Sequence, residues 1–261
     1  MIKKAYILIL IILLVGSSSL IAEPPSKIEW KSIPSGDFFP FFADTVKPIK
    51  IDGFFITETQ ITNAQFLEFV KANPKWRRSK IKSLFAESSY LKYWKSDTVL
   101  GKQAPPNAPV VMVSWFAASA YCNWLGGRLA DMSEWEYVAS ASKTSKNAYN
   151  SDEFSSTLLK MYEKLPKIPL PNVGQRFKNA YGVYDMHGLV WEWTRDFNSV
   201  IVSTDSREKT NQDGKLFCAA GSIGNVDPSN YSAFVRYSMW SSLQAKYCIR
   251  NLGFRCVKDK L

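Results

Sequence analysis

The sequence predicts one α+β domain low in regular secondary structure, and three observations carry that expectation. Helical periodicity is confined to three short segments in the first 140 or so residues. The apolar runs between them are only about four residues long, strand-sized and not helix-sized. Beyond Asn150 turn-forming residues dominate. A composition 46% hydrophobic with nine Trp is ample for one core, and no second domain is visible.

Taken in order, the chain opens MIKKAYILILIILLVGSSSLIAEPP. Lys3 and Lys4 precede an apolar run ending near Gly16, followed by small residues through Ala22. That is the pattern of a secretory signal, here placed at residues 1–22 and followed by a single domain at 23–261. The run is short for a membrane span, which needs ~20 apolar residues, so the alternative is an uncleaved N-terminal anchor. The expected location is therefore periplasmic or secreted, with membrane contact only through such an anchor. The run GFFI reads as a strand. In TNAQFLEFVKA, Thr62 or Asn63 caps a helix that puts Phe66, Phe69 and Val70 on one face. A second strand is expected at VVMV. In SWFAASAYCNWLGG, Ser114 caps a helix burying Ala117, Tyr121 and Trp124, stopped by Gly126 or Gly127. SEWEYVASA gives the third helix, capped by Ser133 with Glu136 three residues on. PKIPLPNVGQ is a loop.

Charge and rare residues narrow the chemistry. The chain carries 33 Lys and Arg against 23 Asp and Glu. Much of the excess is local, because the nine basic residues between Lys71 and Lys102 meet only Glu87 and Asp97. Such a strip is either a solvated face or a surface for an acidic partner, and an exported protein is not expected to meet nucleic acid. Cys122, Cys218, Cys248 and Cys256 fall outside any CxxC spacing, so two disulfides are expected, with three connectivities open. A single histidine, His187, excludes sites built from two or three imidazoles in one chain, and with them most zinc hydrolases and facial-triad iron enzymes.

Four ordered blocks then carry a resemblance. GFFITETQITNAQFLEFV, APVVMVSWFAASAYCNWLGGRLADMSEWEYVASA, YGVYDMHGLVWEW and NLGFRC resemble, in this order, the blocks of the formylglycine-generating enzyme, or sulfatase-modifying factor, family. The resemblance covers roughly residues 30 to 258. It implies a variant C-type-lectin-like fold with calcium support and an active-site groove, a fold also hosting maturation and ligand-displaying proteins, so that fold alone does not assign chemistry. It further implies a disulfide between Cys122 and Cys256, which leaves Cys218 and Cys248 to bridge or stay free. The family's calcium loop maps onto Asp185, the carbonyls of Gly188 and Val190, and Glu192, with Leu189 where asparagine is usual; oxygen ligands of this kind suit a hard cation. Without metal, Glu192 would pair with Arg195 or Arg255. A second, Asn- and Asp-rich calcium loop is expected to be missing, because the corresponding interval is short and basic. On this reading His187 is a loop side chain, and Trp191 and Trp193 are core or groove-wall residues.

The catalytic segment departs from the family. The enzymes use two cysteines five residues apart, shortly after a Gly-Ser dipeptide, as soft ligands for Cu(I). AAGSIGNVDPSNYSAF keeps Gly221 and Ser222 but sets Asn225 and Asn230 at the cysteine positions. Amides do not replace thiolates on Cu(I), so copper and the family oxidation are not expected. Ser222, Asn225, Asn230, Tyr231, Arg236 and Trp240 are left as a groove suited to a peptide or a small ligand. Cys218 is the one candidate there for residual thiol chemistry. Two functions follow as expectations: an exported accessory or maturation protein of the sulfatase-modifying type, or a noncatalytic lectin-like module binding a ligand or peptide.

Overall fold

The computed structural model describes residues 28–39, 48–148, 151–164, 166–198 and 228–260. In chain order these form β1 (Trp30–Ile33), β2 (Gly36–Phe38), β3 (Ile49–Ile51), β4 (Phe54–Thr57), α1 (Asn63–Ala72) and α2 (Trp115–Trp124). There follow β5 (Arg128–Leu129), α3 (Met132–Ala139), α4 (Asp152–Glu163), β6 (Trp191–Glu192), α5 (Pro228–Ser241), β7 (Leu252–Gly253) and β8 (Cys256–Asp259). The expected signal segment lies outside the described residues, as do Cys218, Ser222 and Asn225.

The main sheet runs β1-β4-β8-β5, every pair antiparallel. Strand β4 is the GFFI run: Phe54 and Ile56 are buried while Phe55 between them is exposed, the period-two alternation of a strand with one face on the core. A parallel pair, β6 with β7, sets Trp191 opposite Leu252 and Glu192 opposite Gly253. The fold is thus α+β, with short strands and much irregular backbone between them.

Helix α1 begins where the cap residues place it. Thr62 accepts from the Gln65 N–H, and the Gln65 side chain accepts from the Thr62 N–H at 2.9 Å. Its apolar face joins α2 through an aromatic cluster in which the Phe66 and Tyr121 rings stack 5.6 Å apart and Phe254 meets Tyr121 edge-on. Ser114 caps α2, accepting from the Ala117 N–H. Gly126, at φ +74°, turns the chain out of the helix in the left-handed region. Gly127 is required for a different reason: a Cβ there would lie 2.3 Å from the Val257 carbonyl oxygen. Cys122 on α2 is joined to Cys256 on β8, both fully buried, so the bridge ties the helix layer to the sheet.

Three expectations need correction. VVMV is not a strand: Val110, Met112 and the Met112 carbonyl bond to Ile61, Ile249 and Leu91 respectively, three separate segments, and Met112 has φ +59°. A buried apolar run whose backbone is satisfied piecemeal builds no ladder. Helix α3 is capped by Asp131, with the Glu134 carboxylate accepting from the Asp131 N–H, two residues before the expected cap. Glu136 is unavailable for that role because it is drawn into the interior. Helix α4 occupies a stretch read as turn-rich; Ser151 caps it and Phe154 and Leu158 form its buried face.

The basic strip is partly structural. The Arg77 guanidinium donates to the Val70 and Lys71 carbonyls at the end of α1, Arg78 donates to the Trp94 carbonyl, and Asp97 accepts from the Ser79 N–H and hydroxyl. Among the described residues no helix is long and apolar enough to cross a membrane.

Candidate functional site

Strand β6 places Glu192 in the interior, and its position opposite Gly253 brings it under the GFR turn that leads into β8. Both carboxylate oxygens are then taken by donors. Arg255 reaches them in a two-pronged pair, Nε to Oε2 at 2.7 Å and Nη2 to Oε1 at 2.9 Å. Trp135 Nε1 donates to Oε2 and Gln60 Nε2 to Oε1, each at 2.8 Å. Of the two arginines expected as partners, Arg255 is the one chosen; Arg195 pairs with Asp131 instead. Arg255 also donates to the Tyr184 carbonyl at 3.0 Å, so one guanidinium ties the Glu192 strand to the YDMHG loop.

That loop carries the other expected ligands. Asp185 has φ +55° and is fully buried, and its carboxylate accepts from three backbone N–H groups, Gly174 at 2.6 Å and Arg176 and Phe177 at 3.1 Å each. The Gly188 carbonyl accepts from the Arg176 guanidinium. Gln60 Nε2 reaches the Asp185 carbonyl at 2.7 Å as well as Glu192, so it bridges the two halves. Calcium takes six to eight oxygens. Here the Asp185, Gly188 and Glu192 oxygens face N–H donors, two of them cationic guanidinium groups. Gln60 Oε1, a neutral amide oxygen, is one of three buried side-chain atoms without a hydrogen-bond partner among the described residues. Three of the four expected calcium ligands are thus engaged by N–H donors, with Arg176 and Arg255 bringing positive charge to the loop. Chelator is accordingly expected to leave the melting temperature of purified protein unchanged; a drop of several degrees, reversed by added calcium, would return the ion to the loop.

A second buried pair lies beyond Trp135. Helix α5 places Arg236 against Glu136 of α3, Nε to Oε1 and Nη2 to Oε2, both at 2.6 Å. The Trp135 ring is 5.8 Å from the Arg236 guanidinium carbon while its N–H binds Glu192, so one side chain touches both pairs. From Arg236 a directed chain continues. Arg236 Nη1 donates to the Tyr162 hydroxyl at 3.2 Å, and that hydroxyl lies 2.8 Å from His187 Nδ1. His187 Nε2 is 2.8 Å from the Ala139 carbonyl, which can only accept, so Nε2 holds the proton and Nδ1 accepts from Tyr162. With Trp135 and Phe154 edge-on to its ring, His187 is a packed, hydrogen-bonded core residue.

This environment makes His187 a source of pH dependence. Burial first, and the Arg236 charge second, push its pKa down to about 3 from an ordinary 6.5. Above the ordinary value both folded and unfolded states keep it neutral. As pH falls from 6.5 toward 3, the unfolded chain takes up a proton that the folded chain refuses, so stability falls by at most ~1.4 kcal/mol per pH unit from this residue. Urea midpoints measured across that window should fall less steeply in His187→Gln than in the parent; parallel curves would remove His187 as the cause.

Of the expected groove residues, Arg236 and Trp240 come together, one turn apart on α5, and line a small cavity of about 30 Å³. Its walls are Trp135, Trp191, Trp240, Met161, Met186 and Leu189. Glu192 and Arg236 reach this lining already paired. Tyr231 is 46% exposed and stacks on Phe234, while the helix turns Ala233, Arg236 and Trp240 inward. Asn230 lies in the first turn of α5, its side chain outside the described residues. Val190 lines the cavity. Among the described residues Cys248 is a free, buried thiol pushed up to about 12 by burial, which keeps it protonated and a poor nucleophile. Tyr162 and Glu136 were not foreseen as site residues; the Ser151 cap followed by Phe154, Leu158 and Met161 was the signal that would have located the first.

Comparison with known proteins adds to this geometry. The model of the sulfatase-modifying factor enzyme 1-like domain matches residues 23–260. The inactive C-alpha-formylglycine-generating enzyme 2 of Mus musculus is 32% identical, over 58% of this chain and 49% of its own length. The formylglycine-generating enzyme of Streptomyces coelicolor is 25% identical over 91% of each chain. The serine/threonine-protein kinase Pkn1 of Chlamydia trachomatis is 28% identical over 59% of this chain but only 24% of its own. The chain therefore spans about half or less of the mouse and chlamydial relatives it matches. Among solved structures, PvdO from Pseudomonas aeruginosa aligns with a TM-score of 0.46 at 17% identity, covering 92% of this chain and 100% of that one.

Proposed function

On the premise that the chain belongs to the sulfatase-modifying factor enzyme 1-like domain family, we propose that it is an exported accessory or maturation protein. In this reading it binds through its tryptophan-walled groove and does not convert cysteine to formylglycine. The observation that carries the reading is Asn225 and Asn230 at the two positions where the family oxidation needs thiolates. The described part of the groove agrees with it. Glu192 and Arg236 are committed to buried partners, His187 is neutral and packed, and the Cys248 thiol is protonated, so these residues present no activated acid, base or nucleophile. What the cavity offers is apolar surface with an aromatic rim, which binds.

Export is supported by the Lys3-Lys4 and apolar opening and by the Cys122–Cys256 disulfide, a bond that persists in oxidising compartments. The same reading takes residues 23–261 as one domain with a variant C-type-lectin-like arrangement. Its support is that β1 near the beginning of the described chain and β8 near its end both pair with β4. Elemental analysis of the purified, copper-exposed protein tests the proposal: copper below one-tenth of an equivalent is expected after desalting, by the lack of a soft ligand pair, as an order-of-magnitude bound (~0.1). Stoichiometric copper that is lost with Cys218→Ser would overturn it.

A further inference from the structure

The tryptophan-walled cavity does not end in neutral surface. It shares Met161, Lys164 and Pro166 with a second, open cavity lined by Lys160, Lys164, Lys167 and Arg176 together with Thr157. Lys160 in the last turn of α4 and Lys164, the residue that ends the helix, both line this cavity. Lys167 follows on the PKIPLP loop, and Arg176 comes back to the same place after the turn at Gly174. No acidic residue lines this second cavity among the described residues; Glu163, the nearest in sequence, is not part of its wall. Among the described residues none of the four cations is in an ion pair there, and Arg176 spends one nitrogen on the Gly188 carbonyl. The carbonyl end of α4 offsets part of this charge, but four side chains exceed the half charge of a helix terminus.

An apolar slot and a cationic shelf joined along one edge form a single recognition surface. We propose that the groove takes a small amphipathic anion. An aromatic ring or short apolar chain enters the slot between Trp191 and Trp240, and a carboxylate, sulfate or sulfonate rests on Lys160, Lys164 and Lys167. The inference rests on the binding reading given above and adds to it the class of ligand. Three features argue for it. The slot opens onto the cationic shelf along the edge formed by Met161, Lys164 and Pro166, so one ligand can reach both. Trp191 is held flat against Tyr162, with ring centres 5.3 Å apart at 16°, so one wall is fixed in orientation before a ligand arrives. Lys160, Lys164, Lys167 and Arg176 lie along the edge shared with the shelf, while the slot's own Arg236 and Glu192 are paired, which orients an amphipathic molecule and leaves a neutral one of the same shape unfavoured.

The experiment uses two matched probes on the purified chain, anilinonaphthalene sulfonate and its uncharged counterpart phenylnaphthylamine, followed by fluorescence titration. The sulfonate is expected to bind one per chain about tenfold more tightly than the neutral probe, with an affinity that falls as salt is raised. Changing Lys160, Lys164 and Lys167 together to Gln should abolish that preference and leave the neutral probe's affinity unchanged. Trp191→Ala should weaken both probes; Asn251→Tyr, which fills the slot from its rim, does the same without removing a packed ring. Each variant is first checked for an unchanged cooperative melt. Equal affinity for the two probes, or a triple variant that behaves as the parent, overturns the anion assignment while leaving groove binding intact. Failure of both probes to bind overturns the groove reading as well. Displacement of the sulfonate by an acidic aromatic peptide but not by a small aryl carboxylate assigns the groove to a protein partner and overturns the small-ligand proposal.

Discussion

Arg255→Met is expected to lower unfolding stability by about 3–5 kcal/mol, because it removes the charged partner of a carboxylate that cannot return to water. Glu192 is 1% exposed, and without Arg255 its remaining donors are two neutral N–H groups, from Trp135 and Gln60. The loss includes the tie to the Tyr184 carbonyl, so the YDMHG loop loosens along with the strand. Pairing the change with Glu192→Met distinguishes the cause, since a pair replaced by apolar side chains of similar volume often recovers much of the loss. Urea unfolding of the two single variants and the double variant gives the comparison as a cycle. A loss under ~1 kcal/mol for Arg255→Met would mean that Glu192 is charge-balanced by something other than Arg255, with bound calcium the first candidate.

The second large effect is expected from the disulfide. Cys122 and Cys256 are 134 residues apart in sequence, and the chain-entropy estimate for closing a loop of that length is about 4–5 kcal/mol. Replacing both with Ala should lower the urea midpoint and also raise the slope of stability against urea, because the unfolded chain is released to expose more surface. Deleting the two buried sulfur atoms adds a cavity cost of about 1 kcal/mol in the folded core. A lowered midpoint with an unchanged slope would place the effect in the folded core and not in the unfolded chain.

How much of this was legible in the sequence depends on the range of the interaction involved. Helices α1 and α2 were readable because Thr62 and Ser114 stand immediately before apolar positions at helical spacing, a signal contained within about ten residues. Helix α3 was misplaced by two residues because Asp131 with Glu134 and Ser133 with Glu136 offer the same spacing, and only the burial of Glu136 against Arg236 separates them. That pair spans 100 residues and leaves no local trace. Glu192 with Arg255 was readable only as one of two options, since spacing does not tell which arginine lies beneath the strand. Val110 to Val113 are as apolar as a strand, but Val110 and Met112 bond to three different segments, and no periodicity encodes that. Tyr162 went unseen because the polar residues of α4 outweighed Phe154 and Leu158 in the reading of that stretch.

The central claim, carried by the proposed function, is that this chain keeps the framework of the sulfatase-modifying family without its oxidation. Mass spectrometry of a sulfatase-type cysteine peptide, incubated under oxygen with the reduced, copper-supplied protein, tests it most directly. The account predicts no aldehyde product above a no-protein control, because Asn225 and Asn230 give Cu(I) no thiolate pair. Aldehyde product that disappears in Cys218→Ser would contradict it and place a working soft-metal site on a thiol outside the two family positions.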